Sequence, residues 1–458
     1  MPSLFAPDAL LPDGWARDVL LEWDEAGIFI RIERASSPQA ARAAGPVLPG
    51  MPNVHSHAFQ RAMAGLAEWR GHPTDDFWTW REAMYALVRR LEPEDIEAIA
   101  AHLYIEMLKH GYTSVAEFHY LHNDREGRPY ENPCELAERI VAAAGASGIA
   151  LTLLPVLYAY GGFRAKPLDG AQRRFRGDVA SIDRMLRELA RRHADRRSFR
   201  LGVAPHSVRA VDAMLLTDLE RAANAIDETM PIHMHVSEQP GEVEECRGTH
   251  GVTPFAWIND IVSVDERWCL IHATHLTPAE RQSVRRSEAV VGLCPVTEAN
   301  LGDGVFDFAE WFSAGGHWGI GGDSHVSVSP FEELRALEYS QRSWLRVRNV
   351  TASERIPDVA ANLWASAAAG GARALAQPVG ALVPGMRADF LVLDGALADF
   401  EALPAPAALG VAMFSGNSNR VRDVFVAGSP VIREGHHARQ QPAQQAYRAA
   451  LRRLRERP

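Results

Sequence analysis

Gly50-Met51-Pro52-Asn53-Val54-His55-Ser56-His57 is the stretch around which the rest of the chain is organised. Residues two apart on a strand face the same side, so His55 and His57 aim two imidazoles at one point. Imidazole is the commonest side-chain metal ligand, and neutral nitrogen donors suit zinc and iron. Alone, the pair is equally well explained as two solvated loop histidines. Three further candidates shift that balance, each at the end of an apolar, strand-like run. They are His235 with Glu238 in Pro231-Ile232-His233-Met234-His235-Val236-Ser237-Glu238, His272 in Cys269-Leu270-Ile271-His272-Ala273-Thr274-His275, and Asp323 in Gly319-Ile320-Gly321-Gly322-Asp323-Ser324.

Outward from His55 a rhythm sets in. Strand-like runs recur at residues 112–120, 150–160, 199–205, 230–236, 268–275, 289–294 and 317–322, with helix-like stretches between them at 133–144, 182–193 and 212–225. With the strand at His55 this makes eight. Continuous apolar runs suit parallel strands covered on both faces, and alternation with helices predicts right-handed βαβ units. The α/β class follows, with a (β/α)8 TIM barrel as the expected architecture and an open doubly wound sheet as the competing one. Barrel enzymes place catalytic groups at the C-terminal strand ends. The candidates fall at such ends, on strands 1, 5, 6 and 8.

The chain ends differ in texture. Residues 19–23 and 28–32 read as a hairpin around Asp24-Glu25-Ala26-Gly27. Residues 77–109 read as helical. Residues 388–393 and 421–428 read as short strands that pair with the N-terminal hairpin. The expected division is a small β domain from residues 1–48 and 378–440, a catalytic barrel at 49–377 and a C-terminal helix at 441–458. Ala443, Tyr447, Ala450, Leu451 and Leu454 share one face of that helix, which should dock by it.

Bulk properties narrow the function. The chain has 458 residues, 47% hydrophobic and 23% charged, ordinary for a globular enzyme. A net charge of −10 argues against a nucleic-acid partner. No uncharged apolar run approaches the roughly 20 residues of a membrane helix, so no membrane partner is expected. Cys134, Cys246, Cys269 and Cys294 share no CxxC spacing, and no basic-then-apolar leader opens the chain. A reducing cytoplasm is the expected location.

Chemistry assigns provisional roles. A catalytic zinc typically takes three protein ligands and leaves a place for water. His55, His57 and one of His233 or His235 supply nitrogens. Asp323 is placed to bind the metal, to accept a proton, or both. Glu238 can shuttle a proton to a leaving group, and His272 can steady a developing tetrahedral centre. Strand-end loops are expected to carry Gln60, Arg61, Arg81, Tyr120, His206 and Arg209. Arginine holds carboxylates bidentately, so a basic mouth points to a small anionic, amino-acid-derived substrate. Arg164, Arg174 and Arg176 are expected as solvated surface charges. Residues 161–176 form a basic, glycine-led loop that could close as a lid.

Together, Val54-His55-Ser56-His57, His235-x-x-Glu238, His272 and Asp323-Ser324 resemble the amidohydrolase superfamily, in its single-metal deaminase branch. Gly385-Met386-Arg387-Ala388-Asp389-Phe390-Leu391-Val392-Leu393 is similar to that family's return into its β domain. The resemblance implies His55, His57, His235 and Asp323 as metal ligands, with Glu238, His272 and Asp323 as catalytic groups. The two-metal branch bridges its ions with a carboxylated lysine. Strand 4 holds no lysine, so one divalent metal, most simply zinc, is implied, and a homodimer with it. Gln60, Arg81, Tyr120 and His206-x-x-Arg209, with Gln172-Arg173-Arg174-Phe175, are similar to members that hydrolyse N-formimino-L-glutamate to N-formyl-L-glutamate and ammonia in histidine degradation. By that resemblance Gln60, Arg81, Tyr120, His206 and Arg209 bind the glutamate part. Two other readings stand beside it. One is a deaminase of guanine, cytosine or a nucleoside thioether, for which Trp69, Trp78 and Trp80 would supply stacking. The other is a barrel without catalysis, against which Glu238 and Asp323 both speak.

Overall fold

The computed structural model describes residues 1–36, 40–66, 68, 77–354 and 356–456, with backbone alone at 77 and 78. Eight parallel strand positions run Met51–Ser56, Tyr112–His119, Ala150–Leu157, Phe199–Leu201 with Ala204–Pro205, Ile232–Val236, Trp268–His272, Val290–Leu293 and Trp318–Ile320. Each pairs in parallel with the next, and the eighth returns to the first through Ile320 and Asn53. Single bridges from Val203 to Ile232 and from Ser207 to His235 join the fourth position to the fifth. The sheet therefore closes, which excludes the open doubly wound alternative.

A second sheet draws on both chain ends, in the order Ser429–Ile432, Val421–Val426, Phe390–Leu393, Val47–Pro49, Ser3–Leu11, Gly14–Trp23, Phe29–Glu33. The expected hairpin is present, but Ser3–Leu11 is a further strand that had not been read from the sequence. It pairs along Gly14–Trp23 in eight registered positions. Trp23, Phe29, Phe390 and Phe425 pack together under this sheet, with Phe390 and Phe425 stacked at 4.3 Å. Arg387 and Asp389, both buried, make a two-pronged ion pair (Nε to Oδ1 2.9 Å, Nη2 to Oδ2 2.6 Å), and Arg387 Nη1 donates to Gln377. Gln377 in turn donates to Thr152 on the third barrel strand, tying the second sheet to the barrel floor.

The helix expected over 77–109 is two helices, Phe77–Val88 and Pro93–Lys109. Proline has no N–H to give and fits only the first turn of a helix. Pro93 accordingly opens the second one, and the Glu92 and Asp95 side chains close a capping box around it. The C-terminal helix, Gln440–Glu456, docks with Ala450 and Leu454 buried and Tyr447 stacked on His102 at 4.4 Å. Arg453 adds an ion pair to buried Asp95.

The surface assignment of Arg174 is wrong. Its side chain is buried, and its guanidinium donates to the carbonyls of Val88, Leu91 and Asn123. Val88 ends a helix, so its carbonyl lacks an intrahelical partner and the dipole there favours a cation. Arg164 and Arg176 are exposed, as expected.

Candidate active site and metal centre

His55 lies inside the first barrel strand and His57 one residue past its end. Their Nε2 atoms are 3.0 Å apart, and His235 Nε2 is 3.0 Å from His55 Nε2. His57 Nδ1 meets the Phe118 carbonyl and His235 Nδ1 the His206 carbonyl, each at 3.1 Å. A carbonyl can only accept, so both Nδ1 atoms carry the proton and both Nε2 atoms are bare. Burial lowers the pKa of all three imidazoles, keeping them neutral. His55 Nε2 stands 3.0 Å from each of these two bare nitrogens, so three ring nitrogens converge on one point where a cation could be held. The three histidines thus fit a metal on their own geometry, and second-contact carbonyls of this kind are what orient metal-ligating imidazoles. Asp323 Oδ1 completes the group at 3.4 Å from both His55 Nε2 and His57 Nε2.

His233 and His235 both point into the barrel, as two-residue spacing demands, but at different depths. His233 donates through Nε2 to the Ala374 carbonyl at 2.8 Å. Ala374 lies in the last turn of the helix Val359–Leu375, whose final carbonyl accepts from Thr152. That helix end plugs the barrel floor. His233 belongs to the floor layer, His235 to the mouth.

Backbone conformation re-aims the strand ends. Ser237, His272, Ala273, Asp323 and His325 all have φ between +47° and +66°, a region non-glycine residues seldom adopt and one that gathers at functional sites. Gly321 supplies room for the first strand: a Cβ there would stand 2.7 Å from the His55 Cβ.

Three acidic groups surround His272. Its Nε2 lies 3.7 Å from Glu238 Oε1 and 3.9 Å from Asp323 Oδ2, and its Nδ1 lies 3.2 Å from Glu298 Oε1. Burial works against charge on this imidazole, but Glu238, Glu298 and Asp323 overrule it and carry its pKa to about 10. Glu238 is pushed up by burial, against the pull of His272 and Arg209. Arg209 stands between two carboxylates, 3.8 Å from Glu238 and 3.9 Å from Glu242. Glu242 is itself buried, and it accepts the backbone N–H of Glu238 at 3.0 Å.

These groups open into a cleft whose walls include His57, Gln60, Arg81, Tyr120, His206, Arg209, His235, Glu238, His272 and Asp323, a convergence of polar groups suited to a small ligand. His55 lies behind the wall. Gln60 donates to the Tyr120 hydroxyl at 2.9 Å. Arg81 is on the helix Phe77–Val88, not on a loop, with its guanidinium over the Tyr85 ring. Arg61 turns away from the cleft to the His325 carbonyl. Trp80 lines the cleft; Trp69 and the side chain of Trp78 lie outside the described residues.

Reading the sequence did not find Tyr85 and Tyr158 in the cleft wall, where Phe175 of the Gln172-Arg173-Arg174-Phe175 motif joins them, nor Glu298 and Glu242 as the groups behind it. The two glutamates carried a weak signal: each follows a barrel strand by a few residues, on the helices Pro295–Leu301 and Pro240–His250.

The Amidohydrolase family model matches residues 47–431. The chain is 50% identical over 449 residues to the formimidoylglutamate deiminase of Pseudomonas aeruginosa, covering 98% of each. Among solved structures, an amidohydrolase from Brucella melitensis superposes with a TM-score of 0.93 at 42% identity, over 99% of this chain and 100% of that one. An adenosine deaminase from Xanthomonas campestris with bound zinc shares the fold at a TM-score of 0.80 and 20% identity, over 99% and 98% of the two chains.

Proposed function

The chain belongs to the amidohydrolase family, and on that premise we infer that it is a metal-dependent deiminase acting on N-formimino-L-glutamate. The reaction adds water across the formimino carbon and releases ammonia, leaving N-formyl-L-glutamate. The single observation that carries this reading is the meeting of two chemistries in one cleft. Three converging imidazole nitrogens adjoin Glu238, His272 and Asp323, and Arg81 and Arg209 line the same cleft.

His55, His57 and His235 would hold the ion, with Asp323 as a fourth contact; zinc is our choice, since the donor set is nitrogen with one carboxylate oxygen. Such an ion, when bound, acidifies water and polarises the carbon–nitrogen double bond. Asp323 would take the proton of the attacking water. Glu238 would deliver a proton to the departing nitrogen, a role its raised pKa favours, because it carries a proton closer to neutral pH. The His272 imidazolium reaches both carboxylates through one nitrogen, so it can hold them in register and offset charge as they exchange protons. Glu298 fixes the ring from behind. Arg209, Arg81, Gln60, Tyr120 and His206 would bind the glutamate part.

We further read residues 49–377 as the catalytic unit, 1–48 and 378–440 as its β companion and 441–458 as the docking helix. The second sheet supports this, since its strands lie at or before Pro49 and from Phe390 on. Four unpaired, buried cysteines support a reducing compartment.

Ammonia release from a panel of amidines and ring amines, with metal content measured on the same sample, tests the reading. Turnover of N-formimino-L-glutamate with one divalent ion per chain supports it. Turnover of guanine or cytosine at equal rate overturns it.

A further inference from the structure

The cleft wall also carries two phenols whose hydroxyls share one neighbour. Gln172 Nε2 lies 3.0 Å from the Tyr85 hydroxyl and 3.5 Å from the Tyr158 hydroxyl. The orientation of this amide is not arbitrary. Its Oε1 accepts the backbone N–H of Asp169 at 3.1 Å, within the capping box that opens the turn Gly170–Phe175. Oxygen is thereby committed to Asp169, and the nitrogen, which can only donate, faces the phenols and, at 3.5 Å, the Gly161 carbonyl.

Donation from Gln172 decides what the phenols do. A hydroxyl that receives a hydrogen bond still has its own proton to place. Tyr85 and Tyr158 adjoin each other, so one proton can pass between them, but not both. At least one O–H is therefore left to donate elsewhere, and both rings line the cleft. Tyr158, Tyr85 and the Phe175 ring between them are buried, and burial raises the Tyr158 pKa, so the hydroxyl stays a donor and never becomes an anion. Arg81 lies over the Tyr85 ring, and Arg209 shares the wall. A dry O–H beside two guanidinium groups is a seat for a carboxylate oxygen.

Building on the functional reading above, we propose that the Tyr85–Tyr158 hydroxyl pair, polarised by Gln172, donates to one of the substrate's two carboxylates and so selects dicarboxylates over monocarboxylates. The two arginines neutralise charge. The phenols add direction, and they bring it to a point where a substrate without that carboxylate would leave a buried donor unpaired. Leaving such a donor unsatisfied costs more than the hydrogen bond itself contributes.

The test compares the parent with Tyr85→Phe, Tyr158→Phe and the double variant on three substrates. These are N-formimino-L-glutamate, its analogue without the α-carboxylate (4-formiminoaminobutanoate) and its analogue without the side-chain carboxylate (N-formimino-L-2-aminobutanoate). The double variant is expected to lose about 10- to 100-fold in kcat/KM on the dicarboxylate. On one analogue, the one lacking the carboxylate that the phenols touch, it should equal or exceed the parent, because no donor is then left unpaired. That undiminished analogue also proves the variant folded and metal-loaded. A loss shared equally by all three substrates, or no loss on any, overturns the proposal. A parent enzyme that does not turn over N-formimino-L-glutamate overturns the functional reading instead, and the phenol assignment with it.

Discussion

His272 Nε2 stands 3.7 Å from Oε1 of Glu238 and 3.9 Å from Oδ2 of Asp323, so one imidazole spans the two carboxylates proposed to move protons. This places Glu238 outside the nitrogen cluster and beside it. Glu238→Gln should therefore keep its metal and lose about 10²-fold or more in kcat. Metal analysis and steady-state kinetics on the same preparation check this; a variant that sheds its metal, or turns over near the parent rate, contradicts the role.

The two histidines of the fifth strand should behave oppositely. His235→Ala removes one of three facing nitrogens and should lose the metal. His233→Ala should keep the metal but leave the Ala374 carbonyl without its partner, a stability cost of about 1–3 kcal/mol. Elemental analysis and urea unfolding of both variants separate the two effects.

How much of this was legible beforehand depends on range. Period-two spacing put His55 and His57 on one face, and the recurrence of apolar runs located all eight barrel strands. Spacing could not rank His233 against His235, because both obey the same alternation; the resemblance carried by His235-x-x-Glu238 implied His235, and the helix end under the barrel, 141 positions away, is the physical reason His233 is engaged elsewhere. Arg174 was misjudged for the same reason. It sits in an arginine-rich run with Arg173 and Arg176, and the carbonyls it caps lie 83 and 86 positions earlier. Tyr85 and Tyr158 are ordinary aromatic residues in their local contexts, and only the closed barrel brings them to one wall.

Arg209→Ala should cost roughly 2–4 kcal/mol in kcat/KM, or about 30- to 1,000-fold. The loss should include kcat, because Arg209 faces Glu238 and Glu242 as well as the cleft and leaves a buried carboxylate uncompensated when removed. Arg209→Lys should recover only part, since an ammonium lacks the planar fork. Equal rates for parent and Arg209→Ala on the dicarboxylate would contradict this.

Stability should fall on the acid side of neutrality. Burial depresses the pKa of His122 to about 4, and its Nε2 donates to the Val156 carbonyl. A lowered folded pKa means the unfolded chain binds the extra proton first, between about 6.5 and about 4. Stability is therefore full above the unfolded value and declines as pH drops through that window. His122→Phe should flatten the decline by up to about one proton in slope. Urea unfolding at half-unit pH steps measures the difference; identical slopes for variant and parent would contradict the burial argument.

The central claim is that water is delivered to the formimino carbon and that the terminal nitrogen leaves, with the glutamate nitrogen retained. Hydrolysis at the other carbon–nitrogen bond would give formamide and glutamate. Proton and carbon NMR of the reaction with N-formimino-L-glutamate distinguishes the two sets directly. Equal amounts of ammonia and N-formyl-L-glutamate are expected; formamide with free glutamate, or unchanged substrate in the presence of the loaded metal, would contradict it.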